Sequence, residues 1–266
     1  MLNILFIGDI VGKIGRKTIA KVVPKLKKEY KINFVIANAE NSAHGSGVTA
    51  EIIAELESYG IDCFTTGDHA FKNKKNLAVF DKENIIRPAN FSPAAQGKGY
   101  MIIDKQGKKI LVINLIGRVF MQMNHDCPFQ KIDEILANIN LPLKKLSAII
   151  VDIHAEASSE KVSLGHYLNG RVSAILGTHT HIMTADHKIT SQGTAYITDA
   201  GMVGAHNSCL GLDKENIIKT FLTQIKYQHV IPEKGKTIFN GVILKVNSRN
   251  SQALSIKPII QYVNIK

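Results

Sequence analysis

Short apolar runs alternate with helical patterns through the first third of the chain. Residues 2–7, 32–38 and 61–66 are apolar runs typical of strands that are buried on both faces. Between them, residues 16–30 and 49–59 carry apolar side chains at helical spacing. This order predicts an α/β fold in which parallel strands are joined by right-handed helical crossovers.

Each of these strands ends in a short polar cluster. Asp9 follows the first strand, Glu40 and Asn41 follow the second, and Asp68 and His69 follow the third. Ligands bind to such sheets outside the carboxyl ends of the strands. The placement therefore predicts that the clusters share one site, which no single motif indicates.

The same pattern returns in the second half of the chain. A predicted strand at 146–153 precedes His154, and another at 172–176 precedes His179 and His181. Because side chains alternate along a strand, two histidines two residues apart are expected to point the same way. Two converging imidazoles suit a transition metal, although such a pair alone is weak evidence.

The remaining patterns complete one predicted domain, residues 1–266, built from two α/β halves. They predict a hairpin of strands 98–104 and 108–114, helices at 130–140, 158–168 and 213–224, a strand at 195–198, and a closing antiparallel pair at 237–246 and 253–260. Pro24 is expected to kink or divide the first helix.

The composition disfavours several classes of protein. The formal net charge is +11, but the lysines are scattered and Trp is absent, which favours a solvated basic surface over a polynucleotide groove. The three cysteines lack CxxC spacing, which disfavours a thiolate zinc site and fits a cytoplasmic protein. No apolar run reaches the roughly 18 residues of a membrane span, and the N-terminal run predicts a strand and not a signal peptide.

The polar side chains at the strand ends form a set of metal-ligand types without sulfur. They are Asp9, Glu40, Asn41, Asp68, His69, His154, His179 and His181. These types suit Fe, Mn, Zn or Co better than Mg or Ca. The set is too large for one ion. Two ions roughly 3.5–4 Å apart would stabilise the attacking and leaving oxygens at phosphorus and lower the pKa of a bridging water.

Each of these residues also has a structural explanation. Asp9 is of a type common in turns, and Glu40 with Asn41 could form an Asx turn. His69 or His154 alone is more often a hydrogen-bonded histidine than a ligand. Five strands that all end in ligand-type residues make the metal site the favoured interpretation.

A Rossmann-type nucleotide binder is the first alternative to a metal site. Gly8, Gly12 and Gly15 follow the first strand, but their spacing is not GxGxxG. Asp9 would also crowd a bound pyrophosphate. This alternative is therefore disfavoured.

Short motifs spread in order over nearly the whole chain resemble the YmdB-like family of bacterial metallophosphoesterases. They are Gly8-Asp9-Ile10-Val11-Gly12, Asn38-Ala39-Glu40-Asn41-Ser42-Ala43-His44-Gly45, Gly67-Asp68-His69, Arg87-Pro88-Ala89-Asn90-Phe91, Asp152-Ile153-His154-Ala155-Glu156, Gly177-Thr178-His179-Thr180-His181, Ala185-Asp186, Gly193-Thr194-Ala195-Tyr196-Ile197-Thr198-Asp199 and Gly201-Met202. The resemblance implies a calcineurin-like four-layer αββα sandwich with two mixed β-sheets. It also implies a dinuclear metal centre, with iron as the expected metal and Mn or Zn as alternatives. The implied activity is that of a phosphodiesterase, with 2′,3′-cyclic nucleotides among its substrates.

The resemblance also divides the candidate residues among roles. It assigns Asp9 and His181 to the first metal, Asp68, His154 and His179 to the second, and Glu40 to a bridge between them. Asn41 is expected beside the first metal and the substrate phosphate. His69 is expected to face the phosphate as general acid, while a hydroxide that bridges the two ions attacks in line.

Position 68 departs from the family pattern, which has Asn where this chain has Asp68. The added negative charge should tighten metal binding and raise the pKa of the bridging water. The alternative function is a metal-containing regulatory protein that binds RNA or a protein partner, which the basic charge permits and the departure at Asp68 slightly favours. RNA contact and self-association stay open, as do the roles of Arg87, Asn90 and Arg118, which either touch substrate or form buried structural pairs.

Overall fold

The computed structural model describes residues 1–82 and 84–266. In chain order, the strands are β1 (Leu2–Ile7), β2 (Asp9–Ile10), β3 (Phe34–Asn38), β4 (Cys63–Thr65), β5 (Tyr100–Lys105), β6 (Lys108–Ile116), β7 (Ala148–His154), β8 (Ala174–Thr178), β9 (Lys188–Ile189), β10 (Ala195–Ile197), β11 (Met202–Ala205), β12 (Gly235–Val246) and β13 (Ala253–Ile265). The α-helices are α1 (Gly12–Glu29), α2 (Ala50–Ser58), α3 (Pro128–Asn138), α4 (Ser158–Tyr167) and α5 (Lys214–Thr223). Short 3₁₀ segments occur at Lys74–Asp81, with an interruption at Asn76, and at Leu143–Lys145.

The strands form two mixed sheets. The first has the order β2-β11-β12-β1-β3-β4, with β13 also paired to β12, and the second has the order β5-β6-β7-β8-β10-β9. The predicted parallel strands are confirmed, since β1, β3 and β4 are parallel in the first sheet. The strands β6, β7, β8 and β10 are parallel in the second. Antiparallel partners such as β12 beside β1 make both sheets mixed.

The two sheets pack face to face, with helices on both outer faces. Phe6 and Ile36 of the first sheet share a buried cluster with Ile150 of the second. The outer face of the first sheet packs against α1 and α2, and that of the second packs against α3 and α4. Full burial of a large apolar side chain stabilises the fold by about 1.5–3 kcal/mol. The predicted four-layer αββα sandwich is confirmed.

Most helix and hairpin predictions are confirmed, with shifted ends. Thr49 caps α2 by accepting a hydrogen bond from the N–H of Ile52. The antiparallel hairpin of β5 and β6 forms as predicted. The first helix differs, because α1 begins at Gly12 and continues through Pro24 to Glu29. Pro24 therefore does not divide the helix.

The sheet register brings the polar clusters to one end of the molecule. Ile7 pairs with Ala37, and Asn38 pairs with Thr65, so β1, β3 and β4 end side by side. The second sheet aligns the last residue of β7 with Thr178, the last residue of β8. Among residues 1–82 and 84–266, no helix combines the length and apolarity needed to cross a membrane.

Candidate metal centre

Four predicted residues from the two sheets converge at the strand ends. Glu40, Asp68, His154 and His179 each offer one ligand-type atom, and these atoms lie within 4.8 Å of one another. His154 Nε2 lies 3.1 Å from Glu40 Oε1 and 3.1 Å from Asp68 Oδ1. It also lies 3.0 Å from His179 Nδ1. The strand ends of both sheets thus contribute to one cluster of candidate metal ligands.

Asp9, Asn41 and His181 form a second group beside the first. Asn41 Nδ2 donates to Asp9 Oδ1 at 3.3 Å, and His181 Nε2 lies 3.8 Å from the same oxygen. Glu40 links the two groups, because its Oε1 faces both His154 and, at 3.5 Å, Asn41 Nδ2. The structure therefore brings the predicted ligands into two adjoining groups with a shared carboxylate.

The two histidines that follow β8 point in different directions. β8 ends at Thr178, and both His179 and His181 have φ in the left-handed region, at 98° and 65°. Strand alternation does not apply there, so the expectation that both point the same way is wrong. His179 faces His154 in the first group, and His181 faces Asp9 in the second.

A buried carboxylate orients His154 from behind. Thr178 Oγ1 donates to Asp152 Oδ1 at 2.7 Å and accepts from His154 Nδ1 at 3.0 Å. This arrangement fixes the ring through Nδ1 and turns Nε2 toward Glu40 and Asp68. Asp152 lies two residues before His154 on β7, so the same-face spacing in the sequence could have identified this pair.

The carboxylates around His154 favour a positive charge at this position. Burial lowers the pKa of His154, but the charge of Glu40 and the hydrogen bonds to Asp68 and Glu40 outweigh burial and raise that pKa well above its usual value. A metal ion that binds the converging atoms would supply the same positive charge. Two carboxylates and two imidazoles fit the metals predicted from the sequence.

Asp68 is held as a carboxylate despite its partial burial. Burial raises the pKa of Asp68, but hydrogen bonds to His154 and His179 outweigh it, so the net pKa is lowered. The pKa of Glu40 is lowered as well, because the charge of His154 and its hydrogen bond outweigh the effect of burial. At Asp9, burial dominates and the pKa is raised. The surrounding histidines therefore favour the charged form of Asp68.

Gly67 leaves space for the His154 ring. A Cβ atom at position 67 would lie 2.1 Å from Cδ2 and 2.3 Å from Nε2 of His154. Real Cβ atoms do not approach ring atoms so closely. Any other residue at position 67 would displace the imidazole from the cluster.

His69 lies at the margin of the cluster. Its Nδ1 is 2.7 Å from Asn41 Oδ1, and its backbone N–H donates to Glu40 Oε2 at 3.0 Å. Its side chain is 29% exposed, whereas that of His154 is 0% exposed. An imidazole held at one nitrogen and reachable by a ligand fits a general acid. Asn41 turns its amide nitrogen toward the second group, so metal ligation would require a half-turn of this amide.

Two partners of the histidines were missed in the sequence. His181 Nδ1 donates to the carbonyl oxygen of Leu210 at 2.9 Å, and Glu156 Oε2 lies 3.1 Å from His179 Nε2. Glu156 had a detectable signal, because it is acidic and follows His154 by two residues. Nothing in the sequence marks Leu210, whose backbone makes the contact.

Arg87 and Asn90 make structural contacts with the backbone. Buried Arg87 donates to the carbonyl groups of residues 88, 89 and 95. Asn90 Nδ2 donates to the carbonyl oxygens of Ile116 and Asp126. These two hydrogen bonds hold both ends of the connection formed by residues 117–125. The side chain of Arg118 is exposed, while its N–H donates to the Glu160 carboxylate.

A cavity of about 520 Å³ opens beside the two ligand groups. Residues of both groups line it, among them Glu40, His179 and His181, together with His69 and Lys72. Residues between β11 and β12 line the same cavity. Its volume falls within the roughly 300–1,000 Å³ typical of small-molecule sites.

A four-layer αββα sandwich with carboxylates and imidazoles clustered at its strand ends defines the class of the metallophosphoesterases. Within this class, the chain belongs to the YmdB-like protein family, whose model matches residues 5–259. The family predicted from the sequence motifs is thereby confirmed.

Three known proteins are similar over nearly their full length. A 2′,3′-cyclic-nucleotide 2′-phosphodiesterase of Bacillus subtilis (strain 168) is 45% identical over 97% of this chain and 97% of its own length. A phosphatase structure from Mycoplasma pneumoniae has a TM-score of 0.92 and 31% identity, and covers 99% of this chain and 94% of its own. A hypothetical protein from Thermus thermophilus has a TM-score of 0.90 and 34% identity, over 98% of this chain and 99% of its own.

Proposed function

We propose that this chain is a phosphodiesterase that binds two metal ions and accepts 2′,3′-cyclic nucleotides. The predicted enzyme class, a phosphoester hydrolase, is confirmed by the family and by the relatives described above. The observation that carries the two-metal proposal is the pair of adjoining ligand groups that share Glu40. The identity to the Bacillus subtilis enzyme supports the choice of substrate.

The proposed ligands follow the two groups. Asp9 and His181 would hold one ion, and Asn41, whose Oδ1 faces His69, would lie beside it. Asp68, His154 and His179 would hold the other, and Glu40 would contact both. When bound, such ions neutralise charge on phosphoryl oxygens and lower the pKa of water. Iron is the proposed metal, with Mn or Zn as alternatives, because the donor set contains imidazoles and carboxylates and no thiolate.

His69 is the proposed general acid. Asn41 Oδ1 accepts from its Nδ1 and fixes the ring, which leaves Nε2 to give a proton to the departing ester oxygen. The Nε2 atom also lies 3.5 Å from Asp68 Oδ2, at the edge of the ligand cluster. Asn41 therefore positions the acid.

The test measures metal content and turnover in the same preparations. Elemental analysis should find two metal ions per chain. Hydrolysis of 2′,3′-cyclic AMP and of bis-p-nitrophenyl phosphate should stop on chelation and return with added Mn. A protein that retains its metal and hydrolyses neither ester would contradict the enzyme and favour the regulatory alternative.

Histidine variants separate the proposed roles. His69→Ala should lower turnover by roughly 10²–10⁴-fold and keep its metal, because it removes a proton donor and no ligand. His179→Ala should lose metal. His187→Ala is the matched control, since that histidine is exposed and lies outside both ligand groups. Unchanged turnover in His69→Ala would refute the assignment of the general acid. Cytoplasmic location, RNA contact, self-association and the single domain stay predictions.

A further inference from the structure

The connection between β11 and β12 is much longer than these strands require. The two strands are antiparallel neighbours, and such pairs are commonly joined by about 2–5 residues. Here residues 206–234, with α5 among them, lie between the strands. We call residues 206–234 the wall segment. A connection of this length is uncommon between adjacent antiparallel strands.

The wall segment reaches the cavity beside the metal-ligand groups. Leu210, Leu212, His229 and Ile231 all line this cavity. Ile231 is seated closely against the body of the protein, because a Cβ at Gly45 would lie 2.4 Å from Ile231 Cδ1. The lining comes from both arms of the segment, one before α5 and one after it.

Hydrogen bonds hold the two arms in place. The N–H of Asp213 donates to the carbonyl of Val230 at 2.7 Å, and Asn216 Nδ2 donates to the carbonyl of Gln228 at 3.0 Å. The Leu210 carbonyl accepts from His181 Nδ1 at 2.9 Å. The wall segment is therefore fixed relative to His181, a candidate metal ligand.

The lining of the cavity fits a heterocycle attached to a phosphate. Leu210, Leu212 and Ile231 are apolar residues of this lining, while exposed His229 and Lys72 are polar ones. A phosphodiester by itself is small and charged, and would leave the apolar groups in water. A nucleobase has apolar faces and polar edges, and histidine rings are among the side chains that stack on bases. A volume of about 520 Å³ accommodates one nucleotide.

We infer that the wall segment binds the nucleobase of the substrate, with Leu210, Leu212 and Ile231 against its faces and His229 beside it. This inference rests on the proposed function and adds four specificity-determining residues to it. The two metal-ligand groups would hold the phosphate, and the wall segment would select what is attached to it.

Equilibrium binding to the metal-replete protein tests the inference. Three probes are titrated: adenosine 3′-monophosphate, the methyl riboside that carries the same phosphate without a base, and inorganic phosphate. The wild type should bind the adenosine compound at least about tenfold more tightly than the base-free compound, which is the scale of one well-made apolar contact. Leu210→Ala and His229→Ala should each reduce this preference several-fold and leave phosphate affinity unchanged.

A matched control keeps the test specific. Leu222→Ala makes the same substitution on α5, where Leu222 is 78% exposed and away from the cavity lining, and it should bind all three probes like the wild type. Leu210→Ala keeps the carbonyl that holds His181, so its metal content should also be unchanged.

Other outcomes would overturn the inference. Equal wild-type affinity for the adenosine and base-free compounds would show that no base is recognised. An equal loss of affinity for all three probes in Leu210→Ala would assign the effect of the substitution to the phosphate site. Tighter binding of octyl phosphate than of adenosine 3′-monophosphate would identify an alkyl ligand. Base-dependent binding without hydrolysis of any phosphodiester would refute the proposed function and leave this inference standing.

Discussion

A buried ion pair holds the backbone that carries His179. Lys161 and Asp199 are both fully buried, and Lys161 Nζ donates to Asp199 Oδ2 at 2.8 Å. The same Nζ donates to the carbonyl of Thr178 at 2.7 Å, and Asp199 Oδ2 accepts from the N–H of Thr180 at 3.0 Å. The pair therefore forms hydrogen bonds with the backbone on both sides of His179. His179 has a φ of 98°, which is unfavourable for a residue with a side chain.

The substitution Lys161→Met removes the cation and preserves most of the side-chain volume. It leaves the Asp199 carboxylate buried without its charged partner, which typically costs about 3–5 kcal/mol. Domains of ordinary size unfold with only about 5–15 kcal/mol, so the loss should be a large fraction of the total. A loosened histidine segment should also lower metal affinity by roughly 10–100-fold, as is typical when the support of a ligand is removed.

Denaturant unfolding in the presence of chelator measures the first effect, because bound metal would otherwise add to stability. Metal titration of the folded variants measures the second. The double variant Lys161→Met with Asp199→Asn removes both charges, and Asn can still accept from Thr180. Its free energy of unfolding should therefore be about 1–3 kcal/mol higher than the value obtained by adding the losses of the two single variants.

Two results would refute this reasoning. A loss below about 1 kcal/mol in Lys161→Met would mean that the buried carboxylate finds another partner or is hydrated. Strictly additive losses in the double variant would mean that Lys161 and Asp199 stabilise the fold independently. Lys131→Met serves as control, since its partner Glu134 is 60% exposed and a surface pair contributes at most about 1 kcal/mol.

Three further changes test the site and its supports. Gly67→Ala should displace the His154 ring, lower the unfolding free energy by about 1–3 kcal/mol and reduce metal content. Denaturant unfolding and elemental analysis measure these effects, and a full metal complement would contradict the prediction. Asp68→Asn should weaken metal binding and alter turnover, because it removes a negative charge from the cluster; if metal content and turnover both matched the wild type, the charge at position 68 would be irrelevant. Asn90→Ala should cost about 1–3 kcal/mol and speed proteolysis between residues 117 and 125, and a cleavage rate equal to that of the wild type would show that the connection is held elsewhere.

The strands and their polar ends could be predicted because both signals are local. An apolar run and the polar residue that follows it are adjacent in sequence, so the order of Asp9, Glu40 and Asp68 along parallel strands was available without coordinates. The motifs of the resemblance gave the four-layer arrangement. The beginning of α1 was placed too late, because Gly12 and Gly15 resemble turn residues.

The position of Gly15 has a tertiary cause. A Cβ there would lie 2.4 Å from the carbonyl oxygen of Val203, so this glycine lets α1 approach β11 closely. The place of β12 is non-local as well. The closing pair of β12 and β13 was predicted, but β12 lies between β11 and β1 inside the first sheet. Which strand inserts beside β1 depends on contacts across the whole chain and leaves no local pattern.

The divergence of His179 and His181 shows where side-chain patterns stop being informative. Strand alternation holds only while the backbone stays extended, and here the chain leaves the strand before the first histidine. The direction of His181 is then set by the carbonyl of Leu210, which any residue type could supply. A motif search detects the imidazole and cannot detect its backbone partner. Leu210 also lines the cavity, and there its apolar side chain matters because it changes with the residue type, whereas the carbonyl does not. Changing Leu210 should therefore alter the preference for what is attached to the phosphate while the metal site stays intact.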